Sequence, residues 1–239
     1  MKLNIRKKLT FIICLSTGTL FSLIVAFLTF KANNLLQKEA FASTEQMASK
    51  YGNDIQSYIE NAFDSPRALA EIFEGYKSID EAQRRPYFNL ALTHVLAANE
   101  HLLAAWTLWE PDALDGKDKE FVSKEGTDAS GRFIPYWNRG SGKIILEPLV
   151  DYEKEGPGDY YLIPKRTGIE SIINPYIYPV AGKDVLMTSL VVPIKDNGKF
   201  VGVVGADMAL DSLQTLVSKI RPYDVGFAIL VANKWCRFS

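Results

Sequence analysis

Histidine and cysteine are nearly missing from this chain, with two of each in 239 residues. His94 and His101 belong to no H-E-x-x-H pattern and no Cys/His cluster, which argues against a zinc-type site. Cys14 lies in an apolar run and Cys236 near the C-terminus, so no disulfide framework is expected. Charge of one sign is also lacking: the net charge is −1 and the basic residues gather into no stripe, leaving no electrostatic ground for nucleic-acid binding. There is no G-x-S-x-G, P-loop or G-x-G-x-x-G, no internal repeat and no low-complexity tract. Without a nucleophile–base or metal set, an anchored hydrolase has little support, and no cofactor is expected. What is plentiful is apolar surface: 47% of residues are hydrophobic, enough for a real core.

That surface begins with residues 9–30, an uncharged run long enough to cross a hydrocarbon core of about 30 Å. Lys2, Arg6, Lys7 and Lys8 precede it, while Lys31 and Lys38 follow together with Glu39 and Glu45. The basic excess predicts a cytoplasmic N-terminus, residues 1–8, and an exported remainder. A cleaved leader is the competing reading, since Ala40-Phe41-Ala42 resembles a cleavage site. The apolar run is too long for that, and the alanine pair lies too far beyond it, so a retained anchor is favoured.

From Asn33 to about Tyr76 the spacing predicts one long helix, with Met47, Tyr51, Ile55, Tyr58, Ile59, Ala62 and Phe63 on one stripe and a kink or restart at Pro66. Asp80 reads as the cap of a second helix to about Asn99, and residues 102–108 read as a strand. Residues 109–118 are turn chemistry, on which Asp115 and Asp118 are expected to be solvated. Residues 128–168 show no period and are rich in Gly, Pro and Tyr, the pattern of a long functional loop. Residues 185–194 and 200–210 form a predicted hairpin about Asn197-Gly198. Asp211 is expected to cap a short helix, residues 212–220, and residues 226–232 to open another strand. The order predicts an α+β fold: an N-terminal transmembrane helix, a long α-helix, then an antiparallel sheet with helices on one side.

Two features carry chemistry. By two-residue alternation Val201, Val203, Gly205 and Asp207 share an inward face, so Asp207 is a carboxylate heading for burial. It needs a partner: a ligand ammonium, Arg132, Lys165 or backbone N–H groups, unless the following turn satisfies it. The second feature is an aromatic set between residues 106 and 178, Trp106, Trp109, Tyr136, Trp137, Tyr152, Tyr160, Tyr161, Tyr176 and Tyr178, interleaved with Arg132 and Lys165; Trp106, Tyr136, Trp137, Tyr161, Tyr176 and Tyr178 are the candidates for the site. Such a set fits an aromatic-walled pocket with a few polar anchors, suited to organic cations or planar rings. Some of these rings must also be core.

The sequence resembles the double Cache sensor domain of bacterial methyl-accepting chemotaxis proteins. The stretches that carry the resemblance are Gly131-Arg132-Phe133-Ile134-Pro135-Tyr136-Trp137-Asn138, residues 158–162, residues 175–178, residues 185–190 with Pro193, and Gly202-Val203-Val204-Gly205-Ala206-Asp207. The resemblance implies a PAS-like Cache sheet flanked by helices, with residues 31–224 forming the long helix and a membrane-distal sensing module. Residues 225–239 are then the start of a truncated membrane-proximal module, and no second apolar span follows. It implies a chemoreceptor's small-molecule sensor for an amino acid, amine or related metabolite. In that reading Asp207 pairs with the ligand amino group, Tyr176 lines the pocket, and Arg132 and Trp137 supply a carboxylate anchor and a ring wall. Tyr178 stands where some members carry a second acid. The expected partners are a ligand, the cell membrane and a second copy through the long helix, whose small shift would carry the signal. The same ectodomain on a histidine kinase or nucleotide cyclase is the alternative.

Overall fold

The structure, a computed structural model, describes residues 4–231. The chain divides into two units, residues 1–54 and 55–239. In the first unit the described chain is helical from Ile5, and the apolar side chains of residues 9–30 are exposed. This is a helix long and apolar enough to cross a membrane. It belongs to α1 (Ile5–Glu74), whose last turns enter the second unit. α1 runs through Pro66 without interruption, so the helix does not restart there. Ala62, Phe63, Pro66, Leu69, Ala70 and Phe73 form one buried stripe, so packing offsets the lost backbone hydrogen bond, a cost of about 3 kcal/mol.

The second unit is built on a seven-stranded antiparallel sheet. Its strands are β1 (Ala104–Trp109), β2 (Pro135–Asn138), β3 (Ile145–Pro148), β4 (Ser171–Ile172), β5 (Tyr176–Val180), β6 (Lys183–Asp196) and β7 (Lys199–Ala209). The order is β3-β2-β1-β7-β6-β4, with β5 also paired to β6. β1 is buried at every position, which is why it reads as an apolar run rather than an alternation. At the β6–β7 turn both Asn197 and Gly198 have positive φ, the two-residue geometry that Asn-Gly favours.

Helices cover both faces, not one. The end of α1, α2 (Glu81–Ala98) and α4 (Leu210–Ser218) share a core with Trp109, Val204, Ala206 and Met208. Within it Phe73 stacks on Phe88 at 3.9 Å. α2 is capped as expected, Asp80 accepting from the Ala82 N–H at 2.9 Å. The opposite face is covered by α3 (Asp159–Thr167), which contributes Tyr160 and Tyr161. Residues 128–168 therefore hold β2, β3 and α3 instead of one long loop. Each element is too short to show a period.

Four further expectations change. Asp115 and Asp118 are buried, not solvated, because Arg85 of α2 reaches both, at 2.7 and 2.6 Å. Asp211 does not cap α4; it lies in the first turn, where its charge still favours the helix N-terminus. Val201 lies on the face covered by α1, α2 and α4, with Val204 and Ala206, because the β6–β7 pairing shifts register there. Ile194 pairs with Gly202 but Lys195 with Phe200, so Val201 is the extra residue of a bulge. Residues 226–231 form no strand; Phe227, Ile229 and Val231 are exposed, and no strand among the described residues pairs with them. Ala232 and Cys236 lie outside the described residues.

Candidate functional site

Beyond the bulge β7 alternates regularly, so Val203 and Asp207 face α3 while Val204, Ala206 and Met208 face the other helices. Asp207 is 1% exposed. Its cross-strand neighbours are Ala104 on β1 and Ser189 on β6. The Trp106 indole N–H donates to Asp207 Oδ1 at 2.8 Å, and the Ser189 hydroxyl donates to the same oxygen at 2.6 Å. Tyr176 extends the chain, its hydroxyl 2.7 Å from Ser189 Oγ.

Trp106 can lean over the sheet because Gly205 lies directly opposite it on β7. A Cβ at Gly205 would sit 2.3 Å from the indole Cζ2. One at Gly202 would sit 2.6 Å from the Leu108 carbonyl oxygen. Both glycines serve close packing, as their place in a strand implies.

Four tyrosines complete a box around the carboxylate. The Tyr160 ring meets Trp106 edge-on at 5.2 Å and Tyr178 at 5.8 Å. Tyr136 lies 5.4 Å from Tyr178, and Tyr176 lies 6.0 Å from Tyr178. Tyr160 and Tyr178 are fastened to one residue: the Tyr160 hydroxyl donates to the Val150 carbonyl at 2.6 Å, and the Val150 N–H donates to the Tyr178 hydroxyl at 2.9 Å. The Tyr136 hydroxyl is buried and falls short of hydrogen-bond geometry with any described residue, although it is close enough to Asp207 to help hold that carboxyl's pKa down.

Burial dominates the electrostatics. It raises the Asp207 pKa from 3.8 to about 6, against the lowering effect of the hydrogen bonds from Ser189 and Trp106 and of the nearby Tyr136 hydroxyl. Burial also pushes the hydroxyls of Tyr136, Tyr160, Tyr176 and Tyr178 above their ordinary range, so all four stay neutral. No cationic side chain among the described residues contributes to the Asp207 titration. At neutral pH the box thus holds a largely ionised carboxylate, indole and phenol faces, and no positive charge.

The sequence-predicted residues separate into three places. Trp106, Tyr136, Tyr176, Tyr178 and Asp207 come together in the box. Arg132 and Tyr161 lie in a neighbouring polar cluster, with Arg132 donating to the Trp109 carbonyl at 2.9 Å and to the Tyr161 hydroxyl at 3.1 Å. Trp137 lies on the opposite face, its indole N–H donating to Asn89 of α2 at 2.8 Å. Adjacent residues of a strand point to opposite faces, so Tyr136 and Trp137 could not both line one pocket. Lys165, considered as a partner for Asp207, instead bonds Glu110 at 2.9 Å and the Tyr161 hydroxyl at 2.8 Å. Of the site residues, sequence reasoning missed Ser189 altogether, while Tyr160 belonged to the aromatic set without being singled out from it. Among the described residues no group of three His, Cys, Asp or Glu side chains could hold a metal ion.

Residues 88–215 match the family model described as methyl-accepting chemotaxis protein-like, first PDC sensor domain. The chain is 36% identical over 133 residues to the methyl-accepting chemotaxis protein TlpQ of Pseudomonas aeruginosa, a match covering 51% of this chain and 19% of TlpQ. It therefore spans about a fifth of that relative's length. Among solved structures it is similar to the extracellular domain of mmHK1S-Z3, assigned as a histidine kinase: TM-score 0.72, 35% identity, 79% of this chain and 65% of that one. It is also similar to methyl-accepting chemotaxis protein X: TM-score 0.65, 27% identity, 79% of this chain and 69% of that one.

Proposed function

The chain belongs to the methyl-accepting chemotaxis protein-like family, as its first PDC sensor domain, and from that premise we propose that the Asp207 box is a receptor site for a small protonated amine. One observation carries the reading: a buried carboxylate without a cationic partner among the described residues, enclosed by neutral aromatic rings. Burying a lone carboxylate is unfavourable, and a bound ammonium supplies the missing charge. The indole and phenol faces add cation–π attraction, worth roughly 0.5–2 kcal/mol per ring in a desolvated site. Ligand binding, not bond-making, fits this chemistry, because the box holds no activated nucleophile.

The amine is favoured over an α-amino acid. Arg132, the residue the resemblance offers as a carboxylate anchor, is occupied by Trp109, Tyr161, Glu110 and Glu153. A ligand carboxylate inside the box would meet Asp207 and phenol rings, and like charges in a buried site repel.

The sensing domain belongs outside the cell membrane, on an anchor whose flanking charges favour a cytoplasmic N-terminus. We propose a chemoreceptor as the whole protein, since the family match and TlpQ point there. The similarity to mmHK1S-Z3 favours a histidine kinase as the second reading of the output, with the same site. A thermal-shift screen of the 239-residue chain in detergent micelles, against amines, amino acids, purines and organic acids, tests the ligand class. Stabilisation by amines is expected; stabilisation confined to acids or purines contradicts it.

A further inference from the structure

Arg132 lies outside the box and is still 3% exposed. Its guanidinium joins the end of β1, through the Trp109 carbonyl, to α3, through the Tyr161 hydroxyl. It lies over the Tyr152 ring at 4.9 Å and the Tyr161 ring at 5.4 Å. Glu110, the residue after β1, makes a second tie: its carboxylate accepts from the Tyr161 hydroxyl and from Lys165. The residue before Tyr161 is Tyr160, the box ring that faces Trp106 and holds Val150. Trp106, Ser189 and Asp207 sit on strands fixed by ladders on both sides. α3 has no ladder, and side chains fasten it to the sheet.

We propose that Arg132, together with Glu110, is a positioning residue that clamps α3 to the end of β1 and so keeps Tyr160 closed over the Asp207 box, making α3 the wall that yields when a ligand enters. The assignment of a ligand to the box rests on the amine reading above; the clamp rests on its own contacts. An arginine suits the task because its planar fork bonds two groups from fixed directions, which a lysine cannot do. It also explains why Arg132 is buried without touching Asp207.

The test is amide hydrogen exchange on the full chain in micelles, with Arg132→Met and, should that variant fold poorly, Tyr161→Phe. Exchange of the Val150 amide and of the α3 amides is expected to rise roughly tenfold or more, while β1 and β7 keep their protection. The Asp207 carboxyl, followed by infrared titration against Asp207→Asn, should move from about 6 back toward 3.8 as water reaches it. A role confined to stability leaves that titration in place. Unchanged α3 exchange, equal loosening of β1 and β7, or an unmoved Asp207 titration overturns the proposal. If the shifts appear but wild type binds no amine, the clamp stands and the amine reading falls. If wild type binds an amine and α3 does not respond, the clamp falls alone.

Discussion

Replacing Asp207 by asparagine separates the cost of burying its charge from the gain of pairing it with a ligand. Folding raises this carboxyl's pKa from 3.8 to about 6. Below pH 3.8 it is protonated in both states and contributes nothing. As pH rises from there the unfolded chain ionises first, so stability falls, and above about 6 the folded state carries the full cost. At about 1.4 kcal/mol per tenfold, that cost is about 3 kcal/mol. Asparagine keeps the shape and the acceptor oxygen for Trp106 and Ser189. Its buried amide NH2 costs about 1–3 kcal/mol where no acceptor meets it. The unliganded variant is therefore expected to be at least as stable as wild type at pH 7.5, by up to about 2 kcal/mol, which at that upper end is roughly 4–8 °C in melting temperature for a domain of this size. At pH 4 the advantage disappears and reverses, because wild type no longer buries a charge. Melting curves of both proteins in micelles at the two pH values give the answer. A variant less stable at both, or a difference that ignores pH, refutes the idea of a buried unpaired charge.

Three further outcomes follow from the same structure. Amine affinity in wild type should fall about tenfold per pH unit below about 6, as protonation removes the counter-charge; calorimetry from pH 4.5 to 7.5 measures the slope. Gly205→Ala should displace the Trp106 indole and destabilise by about 1–3 kcal/mol, with loss of near-ultraviolet circular dichroism; an unaltered spectrum contradicts the close contact. Arg85→Met should cost about 3–5 kcal/mol in urea denaturation, because it leaves the buried Asp115 and Asp118 without their partner; a change under about 1 kcal/mol would show the triad to be dispensable.

The secondary elements with long periods or strong punctuation were legible in the sequence. The α1 stripe, the Asp80 cap and the Asn197-Gly198 turn follow from spacing and residue chemistry alone. Asp207 was legible for a partly mistaken reason. Alternation through β7 puts Val201 on its face, whereas the bulge moves Val201 to the other side and resets the pattern from Val203 onward. The same bulge hid Ser189. Pairing Asp196 with Lys199 and counting back evenly sets Ser189 opposite Ala206; with the extra residue it faces Asp207. Arg132 and Trp137 were assigned to the pocket by the aromatic set and by the resemblance, and nothing local reveals that the Arg132 guanidinium turns toward the end of β1. Asp115 and Asp118 have the composition of an exposed turn and are buried only because Arg85 arrives from another element. Side-chain partners brought together by tertiary packing leave no periodic trace.

The central claim is that the box selects positive charge through Asp207. Its most direct test is titration calorimetry of the wild-type chain at pH 7.5 with a primary amine that stabilises it and with the neutral N-acetyl derivative of that amine. The account predicts binding of the amine, a loss of at least about a hundredfold for the neutral derivative and a comparable loss in Asp207→Asn. Equal affinity for the charged and neutral compounds, or amine binding that survives Asp207→Asn, would contradict it.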